Sequence, residues 1–430
     1  MSTLSVRQES RTPVEASFVG AAVVPRHVRR VGYVLALAVW TVPLLTPSGP
    51  MNTALPDVTI GVAVVMTVLL LRRTRAKVSL PYSVGLGIFM LAGAIAAFHH
   101  EVVSAAFPLM PDLLMLLWAA AIANAVQRPW LLRVFLQAWC WSAIAGAAAM
   151  LIGVVAGVNA LAGINPKNGG RAALTMIDPN MAGNYFMCAL MVLLATSAIQ
   201  AGWIRFLGAI LIILAIGLTG SNGALVGVGI ALVVGGTVHM YKARGPVFAM
   251  AVAALGLALA GVAGPNIDVA AIQQQAADSI QPLHDSLGRS DTSGSERKIL
   301  VSEGLRLFRA GDLLGIGPGR TKETLASEGA SYVKEAHDDY VATLVERGVL
   351  GGVGLILLIS AAGVRLTRVT FRRLPAEVAA LVPRPEYLLG LGFALLAAGF
   401  FYEILHFRQL WAFLGLVAGL DLMVRRPWPR

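Results

Sequence analysis

The sequence predicts an all-α polytopic membrane protein with about twelve transmembrane helices and a large, partly helical extracytoplasmic loop before the tenth span. Composition is the first reason. Of 430 residues, 57% are hydrophobic and only 13% are charged, against about 25% charged in soluble domains. The second reason is clustering, because the apolar residues gather in long uncharged stretches such as the one running from Ile210 through Leu218 into Gly223 and Gly236. A bilayer-crossing helix needs roughly 20 mostly apolar residues. The third reason is charge, since Lys and Arg recur in every second connection between those stretches.

The expected spans are 31–47, 57–71, 81–98, 106–126, 130–157, 180–199, 204–219, 223–240, 247–264, 341–363, 386–402 and 407–424. Residues 1–28, with Pro13 and Pro25, read as a disordered cytoplasmic tail with no cleavable signal. Residues 29–264 then hold spans one to nine, 265–340 the extracytoplasmic loop and 341–424 spans ten to twelve, and 425–430 form a basic tail. Short loops rich in Lys and Arg mark the cytoplasmic side. Arg26, Arg29 and Arg30 precede span one, Arg72, Arg73, Arg75 and Lys77 follow span two, and Arg128 and Arg205 follow spans four and six. Lys242 and Arg244 follow span eight, and Arg365, Arg368, Arg372 and Arg373 follow span ten. Arg425, Arg426 and Arg430 close the chain, so both termini are expected in the cytoplasm. The net charge of +11 is largely this topogenic signal, and no nucleic-acid partner is needed to explain it. Cys140 and Cys188 fall inside spans without metal-ligand spacing and read as small buried hydrophobes.

Two outer connections are long, 158–180 and 265–340. Long loops in compact proteins tend to carry function. In the second, Ser293-Gly-Ser-Glu296 fits a capping box, and Val301, Leu305 and Phe308 share a helical face behind it. A small folded cap on the outer surface is expected. Arg297 would then lie in the first turn of that helix, where the dipole disfavours a cation unless an anion approaches. It reads either as an anion ligand or as an exposed surface arginine. Arg171, ahead of Asp178-Pro179-Asn180, reads either as a snorkelling loop arginine or as a second ligand. Gly315-Ile-Gly317-Pro-Gly319 could present N–H groups to phosphate but fits a tight turn better. His337, Tyr340, Val341 and Leu344 share a face if the tenth helix begins before them, which would leave Asp338 and Asp339 off that inward face. Histidine suits general-base work near neutral pH.

These segments together resemble the bacterial O-antigen ligase and polymerase family, over roughly residues 165–420. Leu218-Thr-Gly-Ser221-Asn222-Gly-Ala-Leu225 looks like its "T-x-S-R-G-A" junction, and Ser295-Glu-Arg297 with Leu307 and Gly315-Ile-Gly317 like its "S-R…W…G-x-G" loop. His337-Asp-Asp-Tyr340 with Glu346-Arg-Gly348 resembles "H-N-x-(Y/F)…E-x-G", and Arg408-Gln-Leu-Trp411 through Gly415 resembles the closing "R-x-x-W-x-x-x-G". The stretch from Arg171 to Asp178-Pro179-Asn180 resembles "R…N-P-N". Two positions depart, since Asn222 stands where the pattern has arginine and Asp338 where it has asparagine.

The resemblance implies glycan transfer at the outer face of the membrane, from a polyprenyl-diphosphate-linked donor to a hydroxyl on a glycan, lipid or wall-polymer acceptor. It implies His337 as the catalytic base, Arg171, Arg297 and Asn222 at the donor diphosphate, and Arg408, Tyr340 and Gly317 in support. No cofactor is expected. No metal is expected either, because the outer loops contain no D-x-D pair and supply arginines instead. Two other classes fit a polytopic chain. A transporter or flippase of lipid-linked glycan would place charges near mid-membrane and often duplicate its halves, whereas Asp112 is the one clear charge within the spans and no repeat is visible. A cell-wall glycan polymerase of the shape-and-division type would depend on a loop aspartate such as Asp338 or Asp339.

Overall fold

The computed structural model describes residues 24–46, 53–99, 107–165, 170–266, 292–311, 313–330, 333 and 338–425, with backbone alone for 260–266 and 292–298. The described secondary structure is all α. The helices are α1 (Arg26–Thr41), α2 (Leu55–Arg73), α3 (Ser83–His99), α4 (Leu109–Ala125), α5 (Pro129–Val155), α6 (Asn159–Ala162), α7 (Pro179–Ala195) and α8 (Gly202–Thr219). They continue as α9 (Asn222–Arg244), α10 (Pro246–Asn266), α11 (Thr292–Ala310), α12 (Thr321–Ser327), α13 (Asp339–Phe371), α14 (Ala376–Leu381), α15 (Glu386–Ala398) and α16 (Arg408–Arg425). Each apolar stretch expected from sequence coincides with one of the longer helices. Among the described residues, α2, α5, α8, α9 and α13 are long and apolar enough to cross a membrane, while α3, α4, α7, α15 and the described part of α10 are shorter apolar helices.

The centre of the bundle is formed by α7 and α16, whose residues are buried almost without interruption, with α4 and α5 beside them. Apolar side chains gain little from each other over lipid, so close backbone approach at small residues matters more. A Cβ added to Gly85 would come within 2.6 Å of Leu358 N, and one on Gly354 within 2.6 Å of Phe89 N, which is why α3 and α13 can lie so close. Gly390 of α15 similarly abuts the carbonyl of Ala231 in α9. Cys140 and Cys188 are free and buried, as their apolar surroundings imply.

The tenth apolar stretch departs from a straight helix. Gly348 sits at φ 62°, ψ −163° inside α13 and kinks it. A kink in an apolar helix leaves backbone groups needing other partners. The glycine loop supplies them. Ile316 N donates to Val345 O (2.9 Å), Gly317 N to Glu346 O (3.0 Å), and Val349 N to Leu313 O (3.0 Å). The Glu346 carboxylate completes the clasp by accepting from Gly319 N and Thr321 Oγ1, both at 2.8 Å.

Asp112, the odd charge of the sequence reading, lies in the first turn of α4. Its Oδ2 accepts from Arg347 Nη2 at 2.7 Å, and the same guanidinium lies 4.0 Å from the Phe89 ring centroid. Both side chains are largely withdrawn from solvent, 9% and 17% exposed. Removing one member of such a pair strands the other, at a cost of about 3–5 kcal/mol, whereas replacing both by apolar groups is close to neutral. Arg347→Met is therefore expected to lower the thermal midpoint of the detergent-solubilised protein sharply, and Asp112→Leu in the same chain to recover most of the loss. A single variant as stable as the parent would refute the pair's structural role.

Candidate active site

The first cluster is built at the junction of α7, α8 and α9. Gly220 ends α8 in the left-handed region at φ 54°, and Ser221 caps α9 by accepting from Ala224 N. Opposite it, Asp178 caps α7 by accepting from Asn180 N (2.7 Å), with Pro179 at the first helical position. The sequence Thr-Gly-Ser-Asn thus encodes one helix stop and one start, and Asp-Pro-Asn another start. Arg171 spans both. Its Nε donates to Thr219 O and its Nη2 to Asn180 Oδ1, each at 2.7 Å. A half-buried guanidinium is thereby fixed between the N-terminus of α7, whose dipole favours an anion, and the last carbonyl of α8, just ahead of the α9 start. Asn222 is exposed at the start of α9 in the same cluster.

The second cluster surrounds the start of α13. Asp338 is extended (φ −151°, ψ 115°) and its Oδ1 accepts from Tyr340 N and Val341 N at 2.8 and 2.9 Å. The helix therefore begins at Asp339. The expected helical face shared by His337, Tyr340 and Leu344 does not form, because position 337 precedes the cap. His337 itself lies outside the described residues. Both aspartates turn inward, contrary to the sequence reading, each only 6% exposed. Asp339 accepts from Ile404 N (2.9 Å) and Leu405 N (3.3 Å), holding the segment between α15 and α16. Burial pushes the Asp338 carboxyl up, while the N–H groups of Val341 and Tyr340 pull it back down. Among the described residues, no three His, Cys, Asp or Glu side chains gather as metal ligands.

The segment 399–408 joins the two clusters, and sequence reasoning had noted only its last residue. Gly223 leaves room for the Tyr402 ring, since a Cβ there would meet Tyr402 Cε2 at 2.6 Å. Asp339 N donates to Gly399 O (2.9 Å) on the other side. His406 Nε2 lies 3.5 Å from Glu403 Oε2. Desolvation opposes a charged imidazole, but Glu403, with Asp339 and Asp112 behind it, pushes His406 up to about 9. Arg408 meets a carboxylate of the chain itself. Its Nε and Nη2 fork onto both oxygens of Asp57 at 2.8 and 2.6 Å, tying α16 to α2. The signal that could have found this segment is local: Glu403, His406 and Arg408 interrupt two apolar stretches within six residues.

The remaining expectations divide. Gly317, at φ 101°, belongs to the clasp on α13 described above, so its N–H is committed to protein and not to phosphate. Tyr340 donates its hydroxyl to Leu396 O (2.8 Å) and packs its ring on Phe400. The cap helix α11 begins at Thr292, before the expected capping box, so Arg297 falls in its second turn and outside the strongest part of the dipole field. The Arg297 side chain is outside the described ones. The buried face of α11 is Leu300, Gly304 and Leu307 with Val301 and Phe308 partly covered, packed on Val341 and Val345; Leu305 is not part of it.

Residues 207–356 match the family model described as O-antigen ligase. The family resemblance is to the O-antigen ligases. No curated protein matches the chain. The O-antigen ligase match runs from early α8 past the kink of α13, so it contains Asn222, Arg297, Gly317, His337 and Tyr340 but neither Arg171 nor Arg408. It supports glycan transfer of the O-antigen ligase type, and together with the apolar helices it fits a multi-pass membrane protein.

Proposed function

We propose that the protein transfers an oligo- or polysaccharide from a polyprenyl-diphosphate donor to a hydroxyl acceptor on the outer face of the bacterial plasma membrane. The observation that carries this reading is Arg171, fixed by two hydrogen bonds between the start of α7 and the end of α8, at the junction that leads into Asn222 of the O-antigen ligase segment. A departing lipid diphosphate develops negative charge, and fixed cations and helix N-termini stabilise it. Arg171 and Arg297 serve as those cations, and Asn222 donates a neutral hydrogen bond where the family pattern has arginine. His337 removes the proton of the acceptor hydroxyl as its oxygen attacks the anomeric carbon. The bond to the diphosphate oxygen breaks, and the configuration inverts. About twelve spans, cytoplasmic termini and an outward loop at 265–340 belong to the same proposal, resting on the alternation of basic connections. Transfer is favoured over transport because Asp112, the clearest charge within the expected spans, is paired with Arg347 and so is not free to carry a substrate or ion.

The reaction proceeds without a divalent ion in this proposal. Asp338 and Asp339 are occupied by backbone N–H groups, which leaves the arginines to meet the diphosphate. The test uses purified protein with lipid-linked glycan extracted from a strain lacking it, in excess EDTA. Transfer to acceptor membranes is expected to persist. Activity lost in EDTA and restored by Mg²⁺ or Mn²⁺ would overturn the arginine-only site, and no transfer under any condition would overturn the function.

A further inference from the structure

Phe400 is a large apolar side chain left 59% exposed at the outer end of α15, next to charged groups. Its ring lies 4.3 Å from that of Tyr340, the two planes 38° apart. The pair is held rigidly. Tyr340 is tied to α15 by its hydroxyl bond to Leu396 O, and the backbone of residue 399 is tied to α13 by Asp339 N. One ring of the pair is therefore backed by protein while Phe400 remains open to the outside. Below it runs an apolar groove of about 340 Å³ between α13, α15 and α16, whose outer end includes Asp339, Tyr340, Gly399 and Ile404.

The chemistry around the open ring selects a ligand class. Asp338 lies two residues before Tyr340 and Glu403 three residues after Phe400, and His406 Nε2 is 3.5 Å from Glu403 Oε2. Carboxylates at this end repel a diphosphate and accept hydrogen bonds from hydroxyl groups. An aromatic face carries partial negative charge and attracts the polarised C–H face of a saturated ring. A neutral pyranose offers both, with C–H groups on its face and hydroxyls on its rim. A membrane anchor would need only an apolar side chain, and interfacial anchors are usually Trp or Tyr, whose polar tips meet the headgroups.

We propose that the Tyr340–Phe400 pair is a stacking platform for a neutral pyranose ring of the glycan substrate, with Phe400 as the contact residue. This rests on the glycan-transfer reading and adds to it a sugar subsite separate from the Arg171 cluster. Phe400 is then a specificity-determining residue that acts through binding, leaving proton transfer to other groups.

Two measurements test it. In transfer assays with extracted lipid-linked glycan, Phe400→Leu is expected to raise the half-saturating glycan concentration about tenfold, with the maximal rate little changed. Phe400→Trp keeps an aromatic face and is expected to stay close to the parent. Equal behaviour of the Leu and Trp variants, whether both active or both impaired, would overturn the platform and leave an apolar anchor or a packing role. Independently, saturation-transfer NMR with a panel of methyl pyranosides on the solubilised protein should show ring C–H saturation in the parent and the Trp variant, lost in the Leu variant. No saturation in the parent would also overturn the platform. If pyranosides bind in this pattern but no transfer occurs, the platform stands and the ligase reading falls.

Discussion

His337→Ala is expected to abolish glycan transfer while the protein still folds and reaches the membrane. A positioned general base contributes about 10²–10⁴-fold to rate. Asp338 and Asp339 are the nearest carboxylates in sequence, but both oxygens of Asp339 and one of Asp338 are already engaged by backbone N–H groups. His406 lies 3.5 Å from the Glu403 carboxylate, which favours its protonated form over the free base. Position 337 precedes the cap residue Asp338 and is not one of the helical residues of α13. Expression and thermal midpoint should therefore match the parent. The readout is accumulation of lipid-linked glycan in cells carrying only the variant, together with transfer by the purified protein. Near-normal transfer by a well-folded variant would remove His337 from the mechanism and favour the transporter reading.

Arg171→Ala should reduce transfer by about 100-fold or more, the loss typical of removing a preorganised donor from a developing anion. Arg171→Lys should recover little, because an ammonium on a flexible stem cannot reproduce the fork that bonds Thr219 O and Asn180 Oδ1 together. The same bonds raise a competing explanation, that the arginine merely staples the start of α7 to the end of α8. Asn180→Ala separates the two. It removes one partner of the guanidinium but leaves the charge, so transfer should largely survive if Arg171 meets the diphosphate. Arg309→Ala, on the exposed side of α11, should be silent. Comparable damage from Asn180→Ala and Arg171→Ala would reduce Arg171 to a structural role, and damage from Arg309→Ala would show that the wrong cations had been chosen.

The legible part of this molecule was its helices. The apolar stretch expected at 204–219 appears as α8, and Thr219 to Asn222 forms the stop and start that its Gly and Ser imply. The junction was legible because capping is a short-range matter of left-handed glycine and a side-chain acceptor. Reading failed at the start of α13. A helical face through His337 was consistent with spacing, yet Asp338 at the cap competes for the same N–H groups and begins the helix two residues later. The glycine loop was ambiguous for a related reason. Its positive φ values suit a phosphate cradle and a tight turn equally, and the kink at Gly348 claims its N–H groups.

The sequence by itself determined where the helices lie and which connections are basic, because hydrocarbon burial and charge exclusion act on each segment separately. It also marked out the residues of the O-antigen ligase segment, since their spacing is local. Only the tertiary structure decided which polar groups meet. Arg408 forks onto Asp57 across 351 residues, and Arg347 onto Asp112 across 235. The resemblance implies a supporting role for Arg408, and in the structure both arginines tie helices together. An ion pair withdrawn from water is stable only with its partner in place, and periodicity does not encode that partner. The same applies to the segment 399–408. Its Tyr402 fits against Gly223, its amides reach Asp339, and its Phe400 ring stays open beside Tyr340 only because α9, α13 and α15 converge there.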